Sequence, residues 1–368
     1  MNKRRITLAL LFGLALTFSL ATRLQAQGQV TDDEFKVTTY KRFVDNREPN
    51  PGAAYQAARE YMARYNKEDD QYTRYLKQWM AAFEKDERQD ALLRAIYGEK
   101  NYAAGFGLAK QVLTDDPEDI KALIALGYGG YLATTNCTRP RAHAGDTISK
   151  IAARCGAPVA EVARLNNLPA DAPLQNGQEI RLPESATSTF NADSVRYAQK
   201  AIQLLEGGKT PDPWDPFKSR EDTVASLNYA IGFIELKPRP EESIARFIRV
   251  IQIDSDLRKT PSPFVLLAGA YEKGPYQRLS SDYSKRFANQ PETPESKAAL
   301  DNINKVMDRI IDAYARGVAL AGNDPQYQAG KVEWTKQLTT LYKFRHGDSD
   351  AGLTEFIAGV LAKPLPLP

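Results

Sequence analysis

Two histidines and two cysteines are all this 368-residue chain offers of the side chains that most often hold a metal, relay a proton near neutrality or attack a carbonyl. His143 and His346 lie far apart, and neither stands in an HExxH arrangement, so a His-rich metal site is not expected. Cys137 and Cys155 are close in sequence, but only His143 could serve either as a base, which argues against nucleophilic-cysteine chemistry. The adjacent carboxylates Asp69-Asp70 and Glu241-Glu242 could be imagined as a glycosidase pair. Acidic residues at such positions read instead as solvated faces or helix starts. Gly-rich phosphate loops are absent from the sequence. The residues point away from catalysis and toward binding, and they require no cofactor or metal.

The N-terminus bears on where that binding takes place. Lys3, Arg4 and Arg5 precede an apolar run from Ile6 to Ala21 and then a short polar segment, the layout of a secretory signal over 1–26. Cleavage is expected after Ala26, with Ser19-Leu20-Ala21 as the competing site. The alternative, an uncleaved anchor, would need about 20 apolar residues, more than this run has. No later segment is apolar enough to span a membrane. Loss of Lys3, Arg4, Arg5 and Arg23 from 49 basic residues leaves 45 against 46 acidic ones. The mature chain is thus near neutral, with no electrostatic reason to bind nucleic acid. The periplasm or the extracellular envelope is the expected location, and there a disulfide persists.

The elements that must position a binding site are mostly helices. Apolar residues recur at helical spacing in Tyr72, Tyr75, Trp79 and Phe83, and again in Leu108, Val112 and Leu113, within at least four helices between Pro51 and about Leu132. Asp115 to Asp119 is expected to end one helix and start the next, with Pro117 in a first turn. Beyond Ala186 come stripes of Val195, Ala198, Ile202 and Leu205, then Val224, Leu227, Ile231 and Ile234, then Ile244, Phe247, Ile248 and Ile251. Further helices are predicted near 262–272, 295–321, 331–344 and 351–362, before a Pro-rich tail, 363–368, that cannot continue one. Helix pairs with short polar turns and an Asp-Pro boundary resemble tetratricopeptide (TPR) repeats. Setting Pro117 as the end of one repeat places Leu126-Gly127 on the next repeat's Leu-Gly pair, with small Gly105 and Ala109 at close-packing positions. Leu123 and Gly130 depart from the repeat's aromatic pattern, and an irregular helical bundle remains the alternative.

Between Asn136 and Ala186 the texture changes, with frequent Gly, Pro and Asn and a strand-like Glu179-Ile180-Arg181-Leu182-Pro183. The predicted order is strand, helix, helix, strand. The first helix runs from about Thr147 to Cys155, with Asp146 placed to cap it and left-handed Gly156 following. The second begins at Pro158, buries Val159, Val162 and Leu165, and stops at Asn166-Asn167-Leu168-Pro169.

Here the likeness to a known family is specific. Ala144-Gly145-Asp146-Thr147-Ile148-Ser149-Lys150-Ile151-Ala152 resembles the signature that opens a LysM domain. Leu165-Asn166-Asn167-Leu168 and Gly177-Gln178-Glu179-Ile180-Arg181-Leu182-Pro183 resemble its middle and its end. The resemblance implies binding of N-acetylglucosamine-containing glycan, peptidoglycan or chitin, in a shallow groove between two loops. On this chain the loops fall on Gly145, Asp146, Thr147 and Ile148, and on Asn167, Leu168, Pro173 and Leu174. Glycine lets backbone approach the acetamido group, and aliphatic side chains pack on apolar sugar faces. Pro140, Arg141 and Ala142 depart from the family's aromatic and β-branched first strand, which weakens strand pairing.

The fold class expected is mainly α: a TPR-like body over 27–136 and 186–362, with a βααβ LysM-like domain over 137–185 inserted in it. Antiparallel end strands would bring the domain's ends together, which makes insertion sterically easy. The first helix returns Cys155 toward Cys137, and a disulfide is predicted if the chain near Cys137 curls inward, with two free thiols as the alternative. The leading reading is a non-enzymatic envelope protein that binds glycan through the domain and an unidentified protein through the body. The alternatives are a helical scaffold whose domain does not bind glycan, and a hydrolase with an unrecognised core.

Overall fold

A computed structural model describes residues 31–138 and 140–366. The expected export signal lies outside the described residues, and no described helix is long and apolar enough to cross a membrane. The structure is helical, and among the described residues it has no extended sheet.

The described residues up to Lys85 form one compact unit and those from Asp86 onward another. The first holds α1 (Asp32–Asn46), α2 (Pro51–Tyr65) and the start of α3 (Gln71–Leu93). The apolar positions of α2 are largely alanine, so α1 approaches closely and Phe43, Tyr61 and Leu76 fill a core with Ala54, Ala57 and Ala58. Side-chain oxygens end the helices: Thr31 accepts from the Glu34 N–H, Asn50 from Ala53, and Asp70 from Thr73 at 2.7 Å. That last bond and the Lys36 ammonium hold the Asp70 carboxyl down at about 2. Asp70 is thereby a helix start. The sequence expectation of a single body on both sides of the insertion thus meets a division inside α3, because the apolar residues of α1, α2 and early α3 are used up on one another.

In the second unit a π turn, Arg94–Gly98, leads to α4 (Tyr102–Asp115), α5 (Ile120–Thr138), α6 (Ile148–Arg154), α7 (Val159–Asn166) and α8 (Asn191–Glu206). There follow α9 (Arg220–Glu235), α10 (Pro240–Gln252), α11 (Ser262–Tyr271), α12 (Gln277–Phe287), α13 (Pro294–Ala321), α14 (Gln328–Arg345) and α15 (Leu353–Gly359). Long helices pack on near neighbours in sequence, α9 on α10, α10 on α11 and α13 on α14, while α11 reaches α13 past α12. Helix α5 packs on α8, and also on α9, across the intervening α6 and α7.

Small residues make that crossing close. A Cβ added at Gly130 would lie 1.8 Å from Ser194 Oγ, and one at Gly127 would lie 2.8 Å from Ala198 Cα. Gly105 is tight against Ile96, whose Cδ1 would stand 2.4 Å from an added Cβ. Two expectations shift here. Pro117 sits in the turn ahead of α5 and Asp119 provides the cap, accepting from the Ala122 N–H at 3.0 Å, because proline's fixed φ suits the tight turn from Asp116. And α5 does not end near Leu132 but runs on to Thr138, its last turns held against α8 by Thr134, whose hydroxyl lies 2.6 Å from Asn191 Oδ1. At the other end of the unit, buried Arg316 pairs with Asp312 and donates to the carbonyls of Lys363 and Pro364, which pins the Pro-rich tail.

Candidate functional site

The segment between α5 and α8 has a core of its own, made of Ala142, Ile148, Ile151, Ala152, Val162, Leu174 and Ile180. Its ends pair antiparallel as a single bridge, Arg141 with Glu179, rather than as full strands. The Ala142 N–H donates to Gln178 O at 2.8 Å, Gly177 N–H to Ala142 O at 2.8 Å, and Ile180 N–H to Pro140 O at 3.0 Å. Pro140 has no N–H to return, so the ladder stops there. On the last segment Asn166 does a strand's work with its side chain: its amide donates to Arg181 O and its Oδ1 accepts from Arg181 N–H, both at 2.8 Å. In the sequence Asn166 marks the helix stop and the Leu-Asn stretch, and neither points to this pairing. An amide paired with main chain from 15 residues away carries no local signal.

The cap of α6 differs from expectation in an instructive way. Thr147 is the N-cap, its hydroxyl accepting from the Lys150 N–H. Asp146 turns inward instead. One oxygen accepts from the His143 N–H at 2.8 Å, and both accept from the Arg154 guanidinium, at 3.1 and 3.0 Å. A capping bond by Thr147 leaves Asp146 free to close the preceding turn, where Gly145 adopts φ +82°. The carboxylate is nearly buried, its side chain 11% exposed, so its charge needs the arginine beside it.

The two predicted loops meet. Thr147 and Pro173 form an antiparallel bridge, the Leu174 N–H donates to Asp146 O at 3.1 Å, and the Ser149 N–H donates to Ala170 O at 3.0 Å. Helix α7 ends on Asn167 in the left-handed conformation, φ +53°, which directs Leu168 back so that its N–H reaches Ala163 O. Gly145, Asn167 and Pro173 are exposed, while Thr147 and Leu168 are half-buried. Ile148 and Leu174 are buried in the core, so the expected packing of their side chains on a ligand does not hold. What these two positions can offer is main chain, and the apolar surface next to the loop junction comes from Leu168 and Pro173.

Cys137 and Cys155 are joined as a disulfide, with Cα atoms 5.5 Å apart. The expected inward curl of a first strand is not needed, because Cys137 stands on the last turn of α5. The N–H groups of Thr187 and Thr189 donate to the carbonyls of Cys155 and Arg154, so the returning chain is clipped to the end of α6 as well. Among the described residues no group of three or more His, Cys, Asp or Glu could hold a metal ion.

Neither the curated proteins nor the solved structures contain a match to the chain. Residues 143–183 match the LysM domain family, and the segment whose two loops meet at Thr147 and Pro173 is therefore a LysM domain, a binding rather than a catalytic module.

Proposed function

We propose that this protein is a non-enzymatic, exported component of a bacterial-type cell envelope that binds peptidoglycan through its LysM domain, while its TPR-like helical body presents a surface to another protein. The observation that carries this reading is the family match over 143–183 on a segment whose two loops join at main-chain level. Exposed Gly145 offers backbone without a side chain in the way, and Pro173 and Leu168 offer apolar surface to the face of a sugar ring. The N-terminal basic and apolar runs support export. Helices stacked in sequence order suit a scaffold with extended faces.

Sedimentation with purified sacculi tests the reading. The mature protein is expected in the pellet, and Pro173→Glu, at an exposed position that leaves the core untouched, is expected to weaken binding about tenfold, or ~1.4 kcal/mol. Equal sedimentation of parent and variant would remove the groove from this role. A parent that stays in the supernatant would leave the domain as a rigid spacer within a helical scaffold.

A further inference from the structure

Beside the first of the two loops, on the side facing the helical body, lies a polar cleft of about 500 Å³. One wall belongs to the LysM domain, including His143, Gly145 and Lys150, and the other to the body, including Lys100, Tyr102 and Asn136. We infer that this cleft is a second subsite, made jointly by domain and body, that takes the carboxylate-bearing peptide branch of a glycan whose sugar backbone lies in the adjoining groove. The inference rests on the peptidoglycan reading given above and adds which part of the molecule contacts the peptide branch.

Four observations lead there. The cleft adjoins the first loop, since Gly145 and Asp146 belong to both. A ligand held at Gly145 would have the cleft directly beside it.

Its charge is suited to an anion. The lining carries Lys100, Lys150 and Arg154 against Glu99 and Asp146, one net positive charge, and Asp146 is already paired with Arg154. The Lys150 ammonium is anchored over the loop by donating to Gly145 O at 2.8 Å. Lys100, at φ +56° in the turn before α4, is exposed and forms no ion pair among the described residues.

The lining also carries neutral hydrogen-bonding groups suited to peptide amides. The Asn136 amide donates to the Tyr102 hydroxyl at 3.3 Å, a long bond that leaves both groups capacity for a further partner. Burial raises the Tyr102 hydroxyl above the usual phenol range, so it stays a donor.

Finally, the walls are fixed. Cys137 on the body and Cys155 on the domain are joined, next in sequence to Arg154, so the two sides need not be brought together when ligand arrives.

The probes are a soluble GlcNAc-containing glycan polymer with its peptides attached and the same polymer, of the same length, freed of peptide, titrated calorimetrically into the intact mature protein. The parent is expected to bind the peptide-bearing probe about fivefold more tightly, an advantage that shrinks at high salt, as expected of partly exposed charge pairs. Lys100→Glu, on the body and outside the groove, is expected to abolish the preference while leaving affinity for the peptide-free polymer and the melting temperature unchanged. Equal affinity of the parent for both probes overturns the subsite, as does a preference that survives in Lys100→Glu. Failure of the parent to bind either probe is a different result: it removes the glycan reading and this inference with it.

Discussion

The LysM domain and the α5–α8 crossing that carries it are built by opposite means. The domain has a core of seven buried residues, and its shape is held by main-chain bonds at turns where Gly145, Asn167 and Gly177 take positive φ. The crossing has almost no turns and depends on what is missing: Gly127 and Gly130 lack the atoms that would keep α8 away. In the domain a change in the loops is felt locally, through one cap or one turn. In the crossing a single added carbon acts on two helices at once, because packed interiors have no free volume to absorb it. A binding surface placed on the first kind of structure and anchored by the second can vary its loops without moving its base.

The sharpest way to break this contrast is at Gly130. Gly130→Val places atoms inside Ser194, and it is expected to cost at least about 3 kcal/mol in urea unfolding of the intact protein. Pairing it with Ser194→Gly should recover a large part of that loss. A variant that unfolds at the parent's midpoint would show the crossing to be loose.

Next comes the link between the two regions. Cys137→Ser with Cys155→Ser opens a loop of 18 residues' separation, worth about 3 kcal/mol by chain entropy. Cys137 stands one turn beyond Ala133, at the end of the α5 stripe, and the rest of the body's core lies further along the helices, so the loss should appear as an earlier melt of the LysM domain, with the helical circular dichroism of the body retained to higher temperature. Coincident loss of both would mean that the domain holds α5 and α8 together.

The smallest effects lie at the first loop and sharpen the comparison within it. Asp146→Asn removes the charge facing Arg154 and should cost about 2 kcal/mol, as for a hydrogen bond to a charged group. Thr147→Ala removes only a cap, about 1 kcal/mol. The reverse order in thermal melts would show that the Asp146–Arg154 pair contributes little and that the cap holds the loop.

Much of the LysM domain was legible in the sequence because its design is local. Glycines that need positive φ, an Asx residue ahead of a helix and a helix-stopping Asn-Asn-Leu-Pro appear as letters in order, and they mark the two loops and both short helices within a residue or two. Helical periodicity placed α11 and α13 equally well, since the 3.6-residue repeat of a buried stripe is also local. What sequence could not rank was two neighbours competing for one job. Asp146 and Thr147 can both cap α6, and the choice falls to Arg154, eight residues from Asp146, which draws the carboxylate inward.

Burial of Ile148 and Leu174 was likewise undecidable from pattern. Ile148 opens α6 and Leu174 lies in a loop, both beside the predicted groove, and only the closing of the core around them removes their side chains from the surface. The length of α5 beyond Leu132 goes with α8 packed alongside it, and the division within α3 with which apolar faces are packed together. The sequence by itself determined the turns, the helices and the identity of the binding module, because each is set by residues within a few positions of one another. The tertiary structure alone decided which loop side chains stay exposed, which of two neighbours caps α6 and how the module is tied to its body, because those outcomes depend on groups brought together across the chain, where burial and charge pairing outweigh local preference.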